Sequence, residues 1–301
     1  MADAAISSTA IPAAPAAARP VVGYWRNVGR RLARDPVTIV VSLVLLGIVC
    51  IAAFAPLVST GAPFEGSVLH RLAPIGTPGH WLGTDEGGRD LWTRLCYGGR
   101  LSLLAGVIPV MAALCVGGGL GLFAGYAGGT VNSVIMRLMD VFYAFPSVLL
   151  AIAICGVLGN GFGNAVLALS IVFVPPLTRI AETVTAQTRR LDFVEAARAS
   201  GSTAFQVMRH HVLPNVLGPI LVYATSLISL SIILSAGLSF LGLGVTPPRP
   251  EWGVMLNALR SAIYVQPYVA ALPGLMIFVT SMCFNLMSDG LRSAMDVKLD
   301  A

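Results

Sequence analysis

Five stretches of the chain carry no Asp, Glu, Lys or Arg: residues 36–64, 101–136, 141–178, 212–248 and 261–288. A helix needs about 20 mostly apolar residues to cross a ~30 Å hydrocarbon layer at about 1.5 Å per residue. Each stretch is long enough for one crossing. The 141–178 stretch contains Gly159-Asn160-Gly161-Phe162-Gly163-Asn164, a turn-forming run that a helix does not keep. Divided there, it yields two crossings, and the pattern predicts six, at 37–57, 101–126, 139–158, 165–184, 217–240 and 268–288.

An even number of crossings places both termini on one side. That side carries Arg19, Arg26, Arg30, Arg31, Arg34, Arg137, Arg179, Arg189, Arg190, Arg198, Arg209, Arg292 and Lys298. The other side carries only Arg71, Arg89, Arg94, Arg100, Arg249 and Arg260. An excess of Lys and Arg marks the cytoplasmic face, so both termini are expected inside. The cluster Arg89, Arg94 and Arg100 runs against the trend without reversing it.

Composition supports the membrane reading. Of 301 residues 56% are hydrophobic and 11% charged, with mean hydropathy +0.81, whereas soluble domains carry about 25% charged residues. The 32 glycines and 19 prolines exclude a simple coiled coil and are better tolerated in bilayer helices. The expected fold is all-α, a polytopic membrane protein of six transmembrane helices with a long cytoplasmic loop at 185–216. Residues 1–35 form a cytoplasmic tail, partly disordered because its first 20 residues bury too little apolar surface. No cleavable signal is expected in it, since the first apolar run ends at Pro56-Leu57 rather than at a small-residue site. Residues 36–100 hold the first crossing and a periplasmic segment, and 101–301 the remaining bundle. The net charge of +5 reads through topology, not through a nucleic-acid partner. Cys50, Cys96, Cys115, Cys155 and Cys283 have no CxxC spacing and read as small hydrophobes.

The chain lacks the parts for several chemistries. It has no GxxxxGK[ST], and its only lysine is Lys298, so it is not its own ATPase. His70, His80, His210 and His211 lie outside the predicted crossings and form no HExxH, so no metal ligands are assigned. Ser239 lacks the closing glycine of GxSxG and has no His within the membrane as base, so no catalytic residue is assigned either. Asp140 and Glu182 approach the predicted crossings. Arg137 and Asp140, three apart, read as a surface pair. The rival reading is a proton relay, and with it an ion-coupled carrier.

The longest inner loop reads Arg189-Arg190-Leu191-Asp192-Phe193-Val194-Glu195-Ala196-Ala197-Arg198-Ala199-Ser200-Gly201. Asp192 as N-cap with Glu195 at N3 would form a capping box. Phe193, Ala196, Ala197 and Ser200 recur at helical spacing and make a face of mostly small residues. Gly201 suits a left-handed residue that ends the helix. Ser202 would cap a second helix running to about Leu213, with Pro214 marking a break. Two short helices around a glycine also describe a DNA-binding helix-turn-helix, but tethering between two crossings keeps such a helix out of a groove.

Glu195-Ala196-Ala197, three residues, Gly201, then Leu213-Pro214 resembles the cytoplasmic signature of the permeases of binding-protein-dependent ABC importers: EAA, three residues, Gly, nine residues, I-x-L-P. His211 stands where that pattern has Ile. Three further segments are similar to the dipeptide, oligopeptide and nickel branch, and most to its C-type subunit: 83–103, Met139-Asp140-Val141-Phe142-Tyr143-Ala144-Phe145-Pro146, and 239–256. The resemblance covers roughly residues 80–299. It implies a permease subunit in the bacterial inner membrane, with peptides or a related small solute as cargo. Its implied partners are an ABC ATPase that binds ATP and Mg, a homologous second permease and an extracytoplasmic solute-binding protein, all in a lipid bilayer. No cofactor is implied in this chain. Asp192, Glu195, Ala196, Ala197, Gly201, Leu213 and Pro214 are the implied ATPase-coupling residues. Small Ala196 and Ala197 permit close backbone approach, and Glu195 offers a carboxylate to a cation or a backbone donor. Glu251 and Trp252 in the 245–267 outer loop are candidate contacts for the binding protein. The rival from another class is a scaffold that moves nothing.

Two features of the bundle stay open at this level. Gly117, Gly121 and Gly125 form a stripe that packs either within the subunit or against another. Pro146, Pro175 and Pro176 bend their helices, for alternating access or simply to shape the bundle.

Overall fold

A computed structural model describes residues 24–295; the expected disordered tail over the first 20 residues and Lys298 lie outside them. Among the described residues the chain is helical with no strand. Helix α1 (Tyr24–Leu32) precedes α2 (Pro36–Ala53). Asp35 caps α2, its carboxylate accepting from Thr38 N at 3.1 Å, and Pro36 occupies the first turn, where its missing N–H costs nothing. A segment over 54–90 follows, mostly turns, with one short helical stretch at Ala55–Val58 and a 3-10 turn at Val68–His70. Then come α3 (Leu91–Ala127), α4 (Gly129–Tyr143), α5 (Ser147–Leu158), α6 (Phe162–Thr188), α7 (Asp192–Ala199), α8 (Ala204–Phe240), α9 (Trp252–Ala258) and α10 (Pro267–Met295).

Helices α2, α3, α6, α8 and α10 are each long and apolar enough to cross a bilayer, and α4 with α5 make one further crossing bent by 83°. The contacts at the helix ends fix the count at six. Gly128, before α4, lies against Arg189 after α6, while Gly161, before α6, donates its N–H to Leu243 O after α8. The bent pair therefore begins at the end bearing the 189–203 loop and finishes at the opposite end. Six crossings and an all-α bundle match the sequence pattern.

Three boundaries differ from the pattern, each for a physical reason. The second crossing starts at Leu91, not 101, because its basic residues are neutralised locally. Arg94 pairs with Asp85 at 3.2 Å and donates to Pro63 O at 2.9 Å. Arg100 donates to Ala52 O and Ala53 O at 2.7 and 2.8 Å, capping the carbonyl end of α2. These bonds explain why arginines sit at the end where the charge rule disfavours them, and they put the expected boundary at 100/101 inside a helix. The third crossing, expected over 139–158, begins at Gly129 and breaks at 144–146, where Pro146 cannot continue the ladder and bends the crossing as its position suggests. The fifth runs unbroken from Ala204: Pro214, expected to break it, follows a π-turn at Met208–Val212 that carries the helix onward.

The glycine stripe packs within the subunit. A Cβ built on Gly117, Gly121 or Gly125 would lie 2.6, 2.3 or 2.6 Å from the carbonyl oxygens of Val174, Thr178 and Glu182. Both series step by four, so α3 and α6 meet backbone to backbone along one shared row. The main core joins α3, α5, α6 and α8 around Val110, Leu169, Phe173 and Leu177, and it extends to Val194, Val207 and Val212 at the loop. A second cluster at the opposite end sets Trp252 and Met255 of α9, with Leu259 just after it, against Leu91, Leu95 and Val269.

Candidate coupling site

The 189–203 loop projects one short helix, α7. Val194 is fully buried in the main core and Ala197 packs against it, while the Arg198 guanidinium sits 5.3 Å over the Tyr126 ring at the end of α3. A β-branched anchor on one face and a cation–π contact on the flank hold the helix firmly. Gly201 has φ +82°, with Ser202 N donating to Ala197 O at 3.2 Å and Gly201 N to Arg198 O at 3.0 Å. That is the expected left-handed stop, a Schellman pair of bonds closing the helix.

The caps differ from those expected. Leu191 is the N-cap residue of α7 and makes no side-chain cap; Asp192 is the first helical residue, and Glu195 N bonds to Leu191 O at 3.3 Å. The backbone of Leu191 thus does the work assigned to Asp192, and no Asp192–Glu195 box forms. Both carboxylates instead stand in the first turn, where the helix dipole favours them. The reciprocal box belongs to the next helix and to Thr203 rather than Ser202: Thr203 N donates to Gln206 Oε1 at 2.9 Å and Gln206 N to Thr203 Oγ1 at 3.3 Å.

Glu195, Ala196, Gly201, Leu213 and Pro214 are exposed and Ala197 is half-buried, so the structure brings the motif to one end of the bundle around α7 and the first turns of α8. His211 is half-buried in the π-turn, its carbonyl accepting from Asn215 Nδ2 at 2.6 Å. Beside the motif stand Leu191, Phe193 and Phe205, exposed to 49%, 42% and 64%. Sequence reasoning passed over Leu191 and Phe205; the available signal was a bulky apolar residue on each side of the glycine with no core face to enter.

The opposite end corrects a second expectation. Glu251 and Trp252 are each 1% exposed and are not available to an outside protein. The Glu251 carboxylate caps α9, accepting from Gly253 N at 2.9 Å, Val254 N at 3.0 Å and Ser102 Oγ at 3.0 Å. Burial pushes this carboxyl above the ordinary glutamate value, with the hydrogen bonds opposing the shift. Trp252 Nε1 donates to Leu95 O at 3.0 Å. Nearby, Asp90 caps α3, accepting from Thr93 N at 2.8 Å and from Thr60 Oγ1 at 2.9 Å, with His80 Nδ1 at 3.1 Å. Burial alone would raise its carboxyl, but these bonds bring it below the usual aspartate value.

On the half-exposed surface of α4 and α6, Asp140 pairs with Arg179 of α6, not with Arg137 as expected, and the Arg179 guanidinium lies 4.9 Å over the Tyr143 ring. Glu182 accepts from Asn132 Nδ2 at 2.5 Å. A cavity of about 340 Å³ opens beside the α4–α5 break, lined by Tyr143, Phe145, Phe173, Pro175, Pro176 and Tyr223 among others.

Residues 117–299 match the family described as binding-protein-dependent transport system inner membrane component. The chain is 40% identical over 275 residues to the glutathione transport system permease protein GsiD of Pectobacterium atrosepticum, covering 91% of each. It is 41% identical over 278 residues to the dipeptide transport system permease protein DppC of Alkalihalophilus pseudofirmus, covering 92% of this chain and 91% of the relative. Among solved structures, a chain of the inward-facing MetNI methionine ABC transporter aligns with TM-score 0.54 at 17% identity, over 65% of this chain and 94% of the other. That likeness is one of fold.

Proposed function

Because the chain belongs to the family of binding-protein-dependent transport system inner membrane components, we propose that it carries peptides of a few residues, glutathione among them, inward on energy delivered at α7. The chain is a multi-pass inner-membrane permease subunit of an ABC importer, and such a subunit is not itself an enzyme. The readings as an ion-coupled carrier and as a scaffold find no support beside this assignment. An importer permease works with ATPase and permease partners. The peptide cargo is supported by the names of relatives that match over nine-tenths of the chain.

The observation that carries the coupling role is the build of α7. It is anchored from below by Val194 and Arg198 yet presents Glu195 and Ala196 between exposed Phe193 and Phe205. A rigid knob with a small-residue crest suits a groove on a partner, and it transmits displacement to α3 and α8 because its anchors rest against Tyr126 of α3 and the core shared with Val207 and Val212 of α8. The partner there is the ATPase, which binds ATP and Mg, and the loop and both termini face the cytoplasm. Asp192 contributes charge at the helix start, Gly201 ends the knob, and Leu213 with Pro214 follow the π-turn through which α8 runs on into the bundle. An extracytoplasmic binding protein docks at the opposite end, where Trp81, Tyr264 and Tyr268 are exposed, in place of Glu251 and Trp252.

The test pairs uptake with crosslinking. Cells with and without this chain are given labelled dipeptides, longer peptides, glutathione and nickel, and Ala196→Cys is crosslinked in intact membranes. Peptide uptake that depends on the chain, with an ATPase captured at position 196, is expected. Uptake of nickel alone, or a knob labelled from outside the cell, overturns the proposal.

A further inference from the structure

We propose that the groove between α1, α2, α8 and α10 seats one anionic phospholipid of the leaflet at the loop end, its acyl chain in the groove and its phosphate at Arg26, Arg30 and Arg34. It rests on the reading above only for the orientation that makes this leaflet the cytoplasmic one. The groove holds about 520 Å³, within the ~300–1,000 Å³ of small-molecule sites. Leu32 and Ala33 line it at the α1 end, Leu43 and Leu46 along α2, and Leu291 on α10. Its depth is that of one leaflet. Leu46, the deepest lining residue on α2, lies ten positions beyond Pro36, about 15 Å at 1.5 Å per residue and half of the ~30 Å hydrocarbon layer. A partner helix would cross the whole layer, whereas this groove ends near its middle, as an acyl chain does.

The lining suits hydrocarbon. Its hydroxyls are engaged within the chain: Thr38 donates to the Asp35 carboxylate, Ser42 to Met287 Sδ at 3.8 Å, and Thr225 to Leu221 O at 2.9 Å. No hydroxyl proton is left for a polar solute. Leu43 and Leu46 are exposed on a crossing helix, where water is absent and an apolar occupant must cover them.

Charge selects the headgroup. Residues 26–35 hold Arg26, Arg30, Arg31 and Arg34 against Asp35 alone, and the Asp35 carboxylate is used to cap α2. Arg26, Arg30 and Arg34 are exposed and pair with no carboxylate among the described residues. Arg30 and Arg34 directly follow Gly29 and Ala33, which line the groove, and Arg26 stands one turn before Arg30. Val28 is buried and α1 packs on α10, which keeps this basic turn at the mouth of the groove. On α10, Asp289 falls on the face opposite Met287 and Leu291, at about 100° per residue, so it does not oppose a phosphate there. Basic residues clustered immediately cytoplasmic of a crossing attract anionic headgroups, and an amphipathic basic helix lies at their level.

The complete importer, in phosphatidylcholine nanodiscs, receives a trace of phosphatidylglycerol or of phosphatidylcholine carrying the same diazirine-bearing acyl chain. Labelled residues are mapped by mass spectrometry after irradiation. Phosphatidylglycerol is expected to label 39–46 and 287–291 more than phosphatidylcholine does, by about tenfold or more, and the preference should shrink as salt rises. Arg30→Gln and Arg34→Gln should each lower it by about fivefold, the pull of one basic residue on an anionic headgroup, while Arg30→Lys should keep it. Leu43→Trp, which fills the groove and leaves the arginines in place, should remove labelling by both lipids. Equal labelling by the two lipids, an unchanged preference in both glutamine variants, labelling that survives Leu43→Trp, or another subunit captured in the groove by Leu43→Cys crosslinking overturns the proposal. Each of these leaves the importer reading standing, which falls only if peptide uptake does not depend on the chain.

Discussion

Glu195 shows what one carboxylate can do without holding the fold together. It is exposed in the first turn of α7 and makes no cap, so Glu195→Lys should leave insertion and folding intact while reversing the charge offered to a partner. Uptake per ATP hydrolysed is expected to fall by about tenfold or more, the loss of a charge-assisted contact, at unchanged membrane abundance; uptake equal to the unsubstituted protein would remove Glu195 from the interface. Asp90 is the opposite case, a carboxylate used wholly inside the chain. Its folded value is lowered, so its stabilisation is present above the ordinary aspartate value of about 3.9 and is lost as pH falls through the folded value. Thermal unfolding in detergent should weaken below about pH 4, and Asp90→Asn, which still caps a helix, should flatten that slope. The roles of these acids were only partly legible in the chain. A carboxylate before an apolar run signals a cap, but Asp192 and Asp90 have the same local pattern and only Asp90 performs it, because Leu191 meets the backbone need itself. Glu251 was misread for a related reason: its donor Ser102 lies 149 residues away.

Elements were legible where lipid solubility or a local backbone rule decides them. The Gly201 turn is of this kind. With φ +82° and nothing within 4 Å of a built Cβ, Gly201→Ala adds backbone strain without a clash, about 1–2 kcal/mol, and Gly201→Asn should cost less. Faster hydrogen exchange over 192–200 in the alanine variant, with coupling reduced in proportion, is the expected outcome. The α3–α6 contact depends on close approach instead. Gly121→Val would push methyl groups into Thr178 O and Ala181 Cβ and should cost about 1–3 kcal/mol, read as a lowered Tm in detergent. Gly119→Ala, which meets nothing within 4 Å, should be neutral or mildly stabilising. The third crossing was misjudged because an apolar run reports length and not direction. Its charge-free portion starts twelve residues after α4 does, and a proline marks a break without giving its 83° angle.

At the scale of the molecule, six crossings with the loop and termini at one end predict a simple accessibility pattern. With the native cysteines replaced by serine, Tyr264→Cys should react with an impermeant maleimide in whole cells, and Ser200→Cys only after permeabilisation; the reverse pattern would invert the topology. The number of crossings, the helix–glycine–helix build of the loop and the resemblance to importer permeases were all present in the chain as written. Each depends on hydropathy over some 20 residues or on spacings within one or two turns, which the backbone reads locally. Tertiary structure alone decided that the glycine row serves α6, that Asp140 pairs with Arg179, that Glu251 and Trp252 are internal, and that the aromatic cavity opens at a bend. Those outcomes join residues tens to hundreds of positions apart. They arise only when the helices have approached closely enough for carbonyls, rings and charges to find one another.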